Sequence, residues 1–289
     1  MAASYQAVIL AAGRGSRMGG RTREIPKALL PIGPRSRTDA QETNFLRRQA
    51  EILHACGVSP IVVVVGSLRE LILEESARWR LPLRFVVNPT PDIATSGSLH
   101  SLQFAARSEH GILDATCQTL FMDADIVYHP AALRALLDAP EKSALLASEH
   151  FRGDDEEVLV YGTPERPRFL GKGLLTPTLV DAEPCLGEAT GIVKLAPNDH
   201  ALARETMDWL LGDPSAPEGS ARRRGFGPAR AGTEHEELTQ RFMRYGRMGC
   251  VRFPADVPFM ECDDERDYAT VRGSFYPRLL DIEAAERVA

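Results

Sequence analysis

The stretch that decides the fold is residues 7–18, AVILAAGRGSRM, with Pro26-Lys27 shortly behind it. Its first half is a continuous apolar run, which is typical of a parallel strand buried on both faces. Its second half is a Gly-rich turn that carries Arg14 and Arg17, and glycine lets the backbone turn sharply and approach a ligand closely. Successive N–H groups in such a turn bind anions, and cationic side chains beside it add positive charge. We therefore predict a polyphosphate-binding turn at the end of the first strand.

The spacing within this turn does not fit the two best-known phosphate-binding motifs. A dinucleotide-binding G-x-G-x-x-G motif would need a glycine where Met18 stands. A P-loop match that starts at Gly15 has Arg21 in place of the lysine and begins inside the turn instead of directly after the strand. A Gly-rich turn that binds no ligand is the remaining alternative, but it would give Arg17 and Lys27 no packing reason to be there.

The composition is ordinary for a globular protein. The 289 residues are 44% hydrophobic and 26% charged, and the formal net charge of -6 argues against nonspecific nucleic-acid binding. No apolar run approaches the roughly 18–20 residues that span a bilayer, and no secretory leader pattern is recognised. We therefore expect a cytoplasmic protein with no membrane partner. The five cysteines form no C-x-x-C pair and are predicted to be reduced thiols.

Strand and helix patterns alternate through the first half, which predicts an α/β fold with a mostly parallel sheet and crossover helices. After about residue 140, short strand-like segments predict a mixed or antiparallel extension that covers a second substrate. We expect a single domain over 1–289, with a nucleotide-binding core at 1–140 and an acceptor-binding extension at 141–289. Segment 212–232, rich in Gly, Pro, Ala and Arg, is predicted to be a mobile loop, either a solvated insertion or a lid. The predicted strands are 6–11, 61–65, 83–88, 119–122, 143–149, 156–161, 167–171, 191–195, 251–253 and 259–262. The predicted helices are 41–56, 68–78, 98–107, 130–138, 199–211, 234–246 and 264–286.

Two carboxylates follow the strand at 119–122, in Asp123-Ala124-Asp125. Carboxylates at the carboxyl end of a parallel strand lie over the crevice where open α/β sheets bind ligands. Magnesium prefers one or two carboxylates together with phosphate oxygens, so we predict that Asp125 holds Mg²⁺. Capping of the helix that begins near Pro130 is the alternative role for this segment.

The pattern L-x-A-G-x-G-x-R-M, followed by P-K, resembles the signature of the nucleotidyltransferases that activate sugar phosphates and small phosphorylated alcohols. The likeness covers residues 5–130 well and 140–285 loosely, and the chain looks most similar to the phosphocholine and aminoethylphosphonate cytidylyltransferases. The resemblance implies a Rossmann-like, three-layer fold with Arg17 and Lys27 as catalytic residues. The residues that it implies for nucleotide binding are Leu10, Ala11, Ala12, Gly13, Arg14, Gly15, Ser16, Gly66, Thr95, Gly97, Ser98 and Asp123.

A late segment, Glu261-Cys262-Asp263-Asp264, resembles the place where this family completes its metal site. The resemblance puts the second magnesium ligand on Asp263. Asp264 is a candidate N-cap of the last helix, and the two roles are compatible.

Two further segments, Phe169–Lys172 and Gly187–Ile192, resemble acceptor-binding segments of the family. They imply that Lys172 binds the acceptor's phosphate or phosphonate and that Glu188 binds a polar or cationic part of the acceptor. A purely structural role is the alternative for both.

The implied reaction is Mg²⁺-dependent transfer of CMP from CTP to a small phosphonate or phosphorylated alcohol, with release of pyrophosphate. Nothing in the sequence is specific for CTP, so a sugar-1-phosphate nucleotidyltransferase that uses UTP, GTP or dTTP stays open. A catalytically idle nucleotide-binding regulatory protein is a further alternative, which the intact Lys27, Asp125 and Asp263 disfavour. A Rossmann-like dehydrogenase is disfavoured because Gly66 stands where an acidic residue would end the second strand. A homodimer is left open.

Overall fold

The computed structural model describes residues 4–89, 96–140, 142–152, 157–172, 183–212 and 234–287. Its strands are β1 (Tyr5–Ala11), β2 (Pro31–Pro34), β3 (Glu42–Asn44), β4 (Ile61–Val65), β5 (Leu83–Val87), β6 (Gln118–Asp123), β7 (Ile126–Tyr128), β8 (Ala144–Ser148), β9 (Leu159–Thr163), β10 (Arg166–Gly171), β11 (Cys185–Leu195), β12 (Gly249–Phe253) and β13 (Phe259–Glu261). Its helices are α1 (Phe45–Ala55), α2 (Arg69–Ser76), α3 (Ser98–Arg107), α4 (Pro130–Asp138), α5 (His200–Gly212), α6 (His235–Arg244), α7 (Glu265–Thr270) and α8 (Tyr276–Glu286).

One large sheet forms the centre of the fold, in the strand order β10-β9-β11-β6-β1-β4-β5. In addition, β8 pairs with β11, and β12 pairs with β8. The strands β6, β1, β4 and β5 run parallel, whereas β11 runs antiparallel to β6, β8 and β9. A mostly parallel core with an antiparallel extension was predicted, and this prediction is confirmed. The register aligns Leu10 of β1 with Asp123 of β6, so the Gly-rich turn and the two carboxylates lie at the same edge of the sheet.

Helices cover both faces of the sheet, because successive residues of the buried strands point to opposite sides. Val8 and Leu10 pack under α3, α5 and α6, whereas Ala7 and Ile9 pack under α1, α2 and α4. A third apolar cluster gathers α7 and α8 against β2. The result is the expected three-layer arrangement, with the core on both faces of the sheet.

Two predicted helices begin or run differently in the structure. The helix predicted over 41–56 starts only at Phe45, because Glu42–Asn44 pairs with β2 and the Asn44 side chain caps the helix by accepting from the Arg47 N–H. The helix predicted over 264–286 consists of α7, a π-helical turn at Val271–Phe275, and α8.

The five cysteines are free thiols. Among the described residues, no helix combines the length and the apolar character needed to cross a membrane.

Candidate active site

A cleft of about 470 Å³ opens at the carboxyl ends of β1 and β6. One wall is the turn that follows β1, and the other walls come from the start of α3, the start of α6, and the segment after β13. The predicted residues that line it are Leu10, Ala11, Ala12, Gly13, Arg14, Gly15, Ser16, Arg17, Lys27, Gly97, Ser98, Asp123, Asp125, Lys172 and Asp263. The fold therefore brings together most of the residues that the sequence singled out.

The turn after β1 is held in a compact shape around Gly15. Gly15 has φ 60°, and its carbonyl accepts from the Met18 N–H at 2.9 Å and from the Thr22 hydroxyl at 2.8 Å. A Cβ at this position would lie 3.0 Å from Cβ of Lys27, so a larger residue would strain the backbone and press on the lysine. The glycine thus lets Lys27 sit directly against the turn.

Three carboxylates from two distant parts of the chain meet beside this turn. Pairing of β13 with β7 and a hydrogen bond from the Cys262 N–H to the Asp125 carbonyl (3.0 Å) bring the late segment to the end of β6. One oxygen each from Asp125, Glu261 and Asp263 lies within 4.8 Å of the other two. Hard oxygen donors in this number and spacing fit Mg²⁺, which takes carboxylates together with phosphate oxygens.

Lys27 and Arg17 are paired with these carboxylates. Lys27 Nζ lies 2.5 Å from Asp125 Oδ2 and 4.0 Å from Asp263 Oδ1, and Arg17 donates to Asp263 Oδ1 at 2.6 Å. Burial disfavours the ammonium of Lys27, but the charges of Asp125 and Asp263 outweigh burial and raise its pKa above the ordinary value. The lysine is therefore a permanent positive charge at neutral pH.

The carboxylates themselves are crowded. Burial and the neighbouring Asp125 raise the pKa of Asp263, although Arg17, Lys27 and Lys172 oppose the shift. Burial and the same group of acids raise the pKa of Glu261 well above its ordinary value. Such crowding is relieved when positive charge enters between the acids, as a bound divalent cation would provide.

The cleft also contains polar and acidic residues that were not predicted, among them Asn88, Glu234, His235 and Glu236. Glu234 accepts from both the backbone N–H (3.1 Å) and the hydroxyl (2.8 Å) of Ser98. His235 Nε2 donates to Asp123 Oδ2 at 2.9 Å. Burial disfavours the charged imidazole, but Glu236 and Asp123 outweigh it and raise the pKa of His235 to about 10. Glu234, His235 and Glu236 lie at the start of α6 and belong to no recognisable motif, so the sequence carried no local signal for them.

Three predicted site positions are placed elsewhere or are not described. Gly66 does not line the cleft, and it packs against Ala12, whose carbonyl oxygen would be 2.7 Å from an added Cβ. Glu188 does not line the cleft either, and it pairs in register with Ser148 of β8 and with Leu159 of β9. Thr95 and nearly all of the 212–232 segment lie outside the described residues. Asp264 caps α7 as expected, accepting from the N–H groups of residues 266 and 267.

Comparison with known proteins finds a relative in sequence that matches about half of this chain. CMP-5'-(3-aminopropyl)phosphonate synthase of Streptomyces rubellomurinus is 35% identical over 153 residues, which is 52% of this chain but only 22% of that protein. The chain thus matches about a fifth of the length of that relative.

Two solved structures share the fold over nearly their whole length. CTP:phosphocholine cytidylyltransferase from Streptococcus pneumoniae superposes with a TM-score of 0.63 at 17% identity, covering 96% of this chain and 99% of that one. The inositol-1-phosphate CTP transferase from T. maritima superposes with a TM-score of 0.66 at 16% identity, covering 97% of this chain and 96% of that one. These likenesses confirm the predicted Rossmann-like nucleotidyltransferase fold.

The family itself is decided by the first half of the chain. The model of the MobA-like NTP transferase domain matches residues 7–171, which is more than half of the sequence and includes the turn, Lys27, Asp123 and Asp125. The chain therefore belongs to the MobA-like NTP transferase domain family.

Proposed function

We propose that this protein is a cytidylyltransferase, which transfers CMP from CTP to a small phosphonate or phosphorylated alcohol and releases pyrophosphate. The observation that carries the proposal is the set of two cations and two carboxylates beside the Gly-rich turn, in which Lys27 and Arg17 contact Asp125 and Asp263. The activities of the similar proteins, a CMP-phosphonate synthase and two CTP-dependent transferases, support CTP and a small phosphorylated or phosphonate acceptor.

In this proposal the two ends of a nucleoside triphosphate would lie in different parts of the cleft. The backbone N–H groups of Gly13–Ser16 and the guanidinium of Arg17 would hold the β- and γ-phosphates. The base would lie at the other end, where Asn88, Gly97 and Ser98 line the cleft. Lys27, between the turn and Asp125, is placed to contact the α-phosphate.

The reaction needs little covalent participation by the protein. A phosphonate or phosphate oxygen of the acceptor attacks the α-phosphorus in line, the new P–O bond forms, and the bond to the β-phosphate oxygen breaks to release pyrophosphate. The acceptor is already an anion near neutral pH, so no general base is required. The rate then depends on the positions of the two substrates and on how well Lys27 and Arg17 stabilise the developing negative charge.

Asp125, Asp263 and Glu261 are the residues that would hold Mg²⁺. When bound, Mg²⁺ would neutralise part of the triphosphate charge and help to fix its geometry. A nucleotide that binds to Lys27 and Arg17 must draw these side chains away from the same carboxylates. Nucleotide and metal binding should therefore favour one another, because each leaves unpaired charges that the other neutralises.

Lys172 indicates where the acceptor would bind. It lines the cleft, and its charge acts on Asp263, so it lies near the carboxylates that would hold the metal. An acceptor phosphonate between Lys172 and the α-phosphate would be held by one cation while it attacks.

Pyrophosphate release tests the proposal. CTP, UTP, GTP, ATP and dTTP are each combined with phosphocholine, aminoalkylphosphonates, hydroxyalkylphosphonates, inositol phosphate and hexose 1-phosphates, with and without Mg²⁺. Release with CTP and a small phosphonate or phosphocholine is the expected result. Release only with another nucleotide and a sugar phosphate would move the protein to the sugar-activating branch. Nucleotide binding without release in any combination would contradict an enzymatic role and favour the regulatory one.

A further inference from the structure

The N-terminal end of α6 reaches the cleft from a part of the chain that lies beyond residues 7–171, the range covered by the family model. His235, the first residue of α6, is 2% exposed. Its ring packs edge-on against Phe121 of β6, with ring centroids 5.4 Å apart. Its Nε2 donates to Asp123 Oδ2 at 2.9 Å. The histidine is thus fixed by packing, and it presents a hydrogen-bond donor to an aspartate of the site.

The position of Asp123 is restricted from a second side. Gly191 of β11 has φ 70°, and a Cβ there would lie 2.3 Å from Asp123 Oδ2. His235 and the bare backbone of Gly191 therefore enclose the same oxygen. Among the described residues none donates to the other oxygen, Oδ1, and the Asp123 side chain borders the cleft. One carboxylate oxygen is held by the protein, and the other is available to a ligand.

The same end of α6 is tied to the base-binding end of the cleft. The His235 N–H donates to Ser98 Oγ at 2.8 Å, and the preceding Glu234 accepts from the hydroxyl and the N–H of Ser98. Asp123 is the register partner of Leu10, which leads into the phosphate-binding turn. Asp123 thus lies between the place of the base and the place of the phosphates, which is where the ribose of a nucleotide bound in this orientation must lie.

We propose that His235 is a positioning residue, which holds Asp123 so that its free oxygen accepts a hydrogen bond from a ribose hydroxyl and thereby selects ribonucleotides over deoxyribonucleotides. This inference rests on the proposed function, because it uses the orientation of the nucleotide given there. An aspartate that is not held by His235 can rotate within the cleft, and the hydrogen bond to the sugar would then lose its fixed geometry. A partly buried carboxylate that is positioned to bind a hydroxyl also penalises a nucleotide that lacks it.

Two other roles for His235 make different predictions. A purely structural histidine would affect all nucleotides equally, since it would act through the stability of α6. A metal-binding histidine is the second, because one ligand atom each from Asp123, His235 and Glu236 lies within 4.8 Å of the other two. In that case the protein would bind one more divalent ion than the set of Asp125, Glu261 and Asp263 accounts for.

The test is the discrimination between CTP and its 2′-deoxy and 3′-deoxy analogues, measured as dissociation constants by calorimetry with Mg²⁺ present. Four proteins are compared: the wild type, His235→Leu, His235→Gln and the matched surface control His54→Leu. His54 is an exposed residue of α1 on the far side of the sheet from α6. Glutamine keeps an N–H donor near the position of Nε2, whereas leucine keeps bulk but has no donor. Thermal unfolding of each variant checks that α6 remains folded.

We expect the wild type and His54→Leu to bind CTP at least about tenfold more tightly than one of the two deoxy analogues, the size of one hydrogen bond to a charged group. His235→Leu should lose most of that ratio, and His235→Gln should keep most of it even if its stability falls. The inference would be overturned, with the proposed function intact, if His235→Leu bound CTP and both deoxy analogues equally more weakly, or if the wild type did not discriminate between them. It would also be overturned if a Mn²⁺ titration showed that His235→Leu binds one ion fewer than the wild type. Failure of the wild type to bind Mg²⁺-CTP at all would overturn both.

Discussion

Replacement of Lys27 by methionine removes the positive charge that lies against Asp125 in the cleft. The side chain is 11% exposed, so methionine fills nearly the same buried space without the ammonium. Two unit charges 4 Å apart interact by about 4 kcal/mol at an effective dielectric constant of 20. Loss of one preorganised donor to developing charge typically costs roughly 10²–10³ in kcat. We therefore expect the turnover number for pyrophosphate release to fall by at least about 100-fold, with the fold intact.

The same substitution should have the opposite effect on divalent metal binding. Nζ of Lys27 lies 2.5 Å from Asp125 and 4.0 Å from Asp263, so it competes with a metal ion for both carboxylates. Without the lysine, the two carboxylates should bind Mn²⁺ more tightly in the absence of nucleotide, by about tenfold. A residue that merely stabilised the fold would not raise metal affinity while it lowered turnover.

The assay combines steady-state pyrophosphate release with a titration of Mn²⁺ followed by electron paramagnetic resonance. Lys142→Met is the matched control, since Lys142 is exposed and is absent from the cleft lining. Circular dichroism and thermal unfolding check that both variants fold. A turnover number within about threefold of the wild type, or a weaker affinity for Mn²⁺, would refute the roles assigned to Lys27.

Three further predictions concern the metal site, a glycine and a buried acid. Asp125→Ala should abolish the increase of activity with Mg²⁺, and an unchanged metal titration would contradict its role as a ligand. Gly191→Ala places a Cβ 2.3 Å from Asp123 Oδ2 at a residue with φ 70°. We therefore expect the free energy of unfolding to fall by about 1–3 kcal/mol and CTP to bind more weakly. Wild-type behaviour in urea unfolding and calorimetry would show instead that Asp123 moves freely. Burial raises the pKa of Glu237 from 4.5 to about 7, so the unfolded state releases this proton first and the wild type loses stability as the pH rises through that window. Glu237→Gln has no such proton to release, so its free energy of unfolding should rise relative to that of the wild type by up to about 3 kcal/mol between pH 4.5 and pH 8. If denaturant unfolding shows the same difference in stability between the two proteins at every pH, the raised pKa of Glu237 is contradicted.

Strands and helices were predicted correctly where a short stretch of sequence marks them. The valine-rich run Ile61–Val65 forms β4 with the predicted bounds, and Pro130 starts α4, as expected for proline in the first turn of a helix. The helix expected over 41–56 starts late, because residues 42–44 pair with β2, and no pattern within 41–56 records that partner.

The same holds for the residues predicted for the cleft: those in a specific local motif lie there, and one whose position depends on strand pairing does not. The turn, Lys27 and Asp125 each belong to a short motif whose residue types and spacing are tied to phosphate or metal binding. Glu188 was placed in the acceptor site because of a short resemblance, but its strand pairs with β8 and β9 and leaves it outside the cleft. The strand register, not the motif, determines which side chains reach the cleft.

The sequence by itself determined the class of fold, the Gly-rich turn after β1 and most of the charged residues of the cleft, because hydrophobic periodicity and motif spacing are properties of neighbouring residues. The resemblance of the late segment predicted Asp263 as a second metal ligand, but only the tertiary structure decided how the pairing of β13 with β7 brings it to Lys27 and Asp125, and that His235 meets Asp123. The physical reason is that these contacts join residues more than 100 positions apart. Their geometry depends on how the sheet, α6 and the late strand pack together, and no local pattern in the chain encodes it.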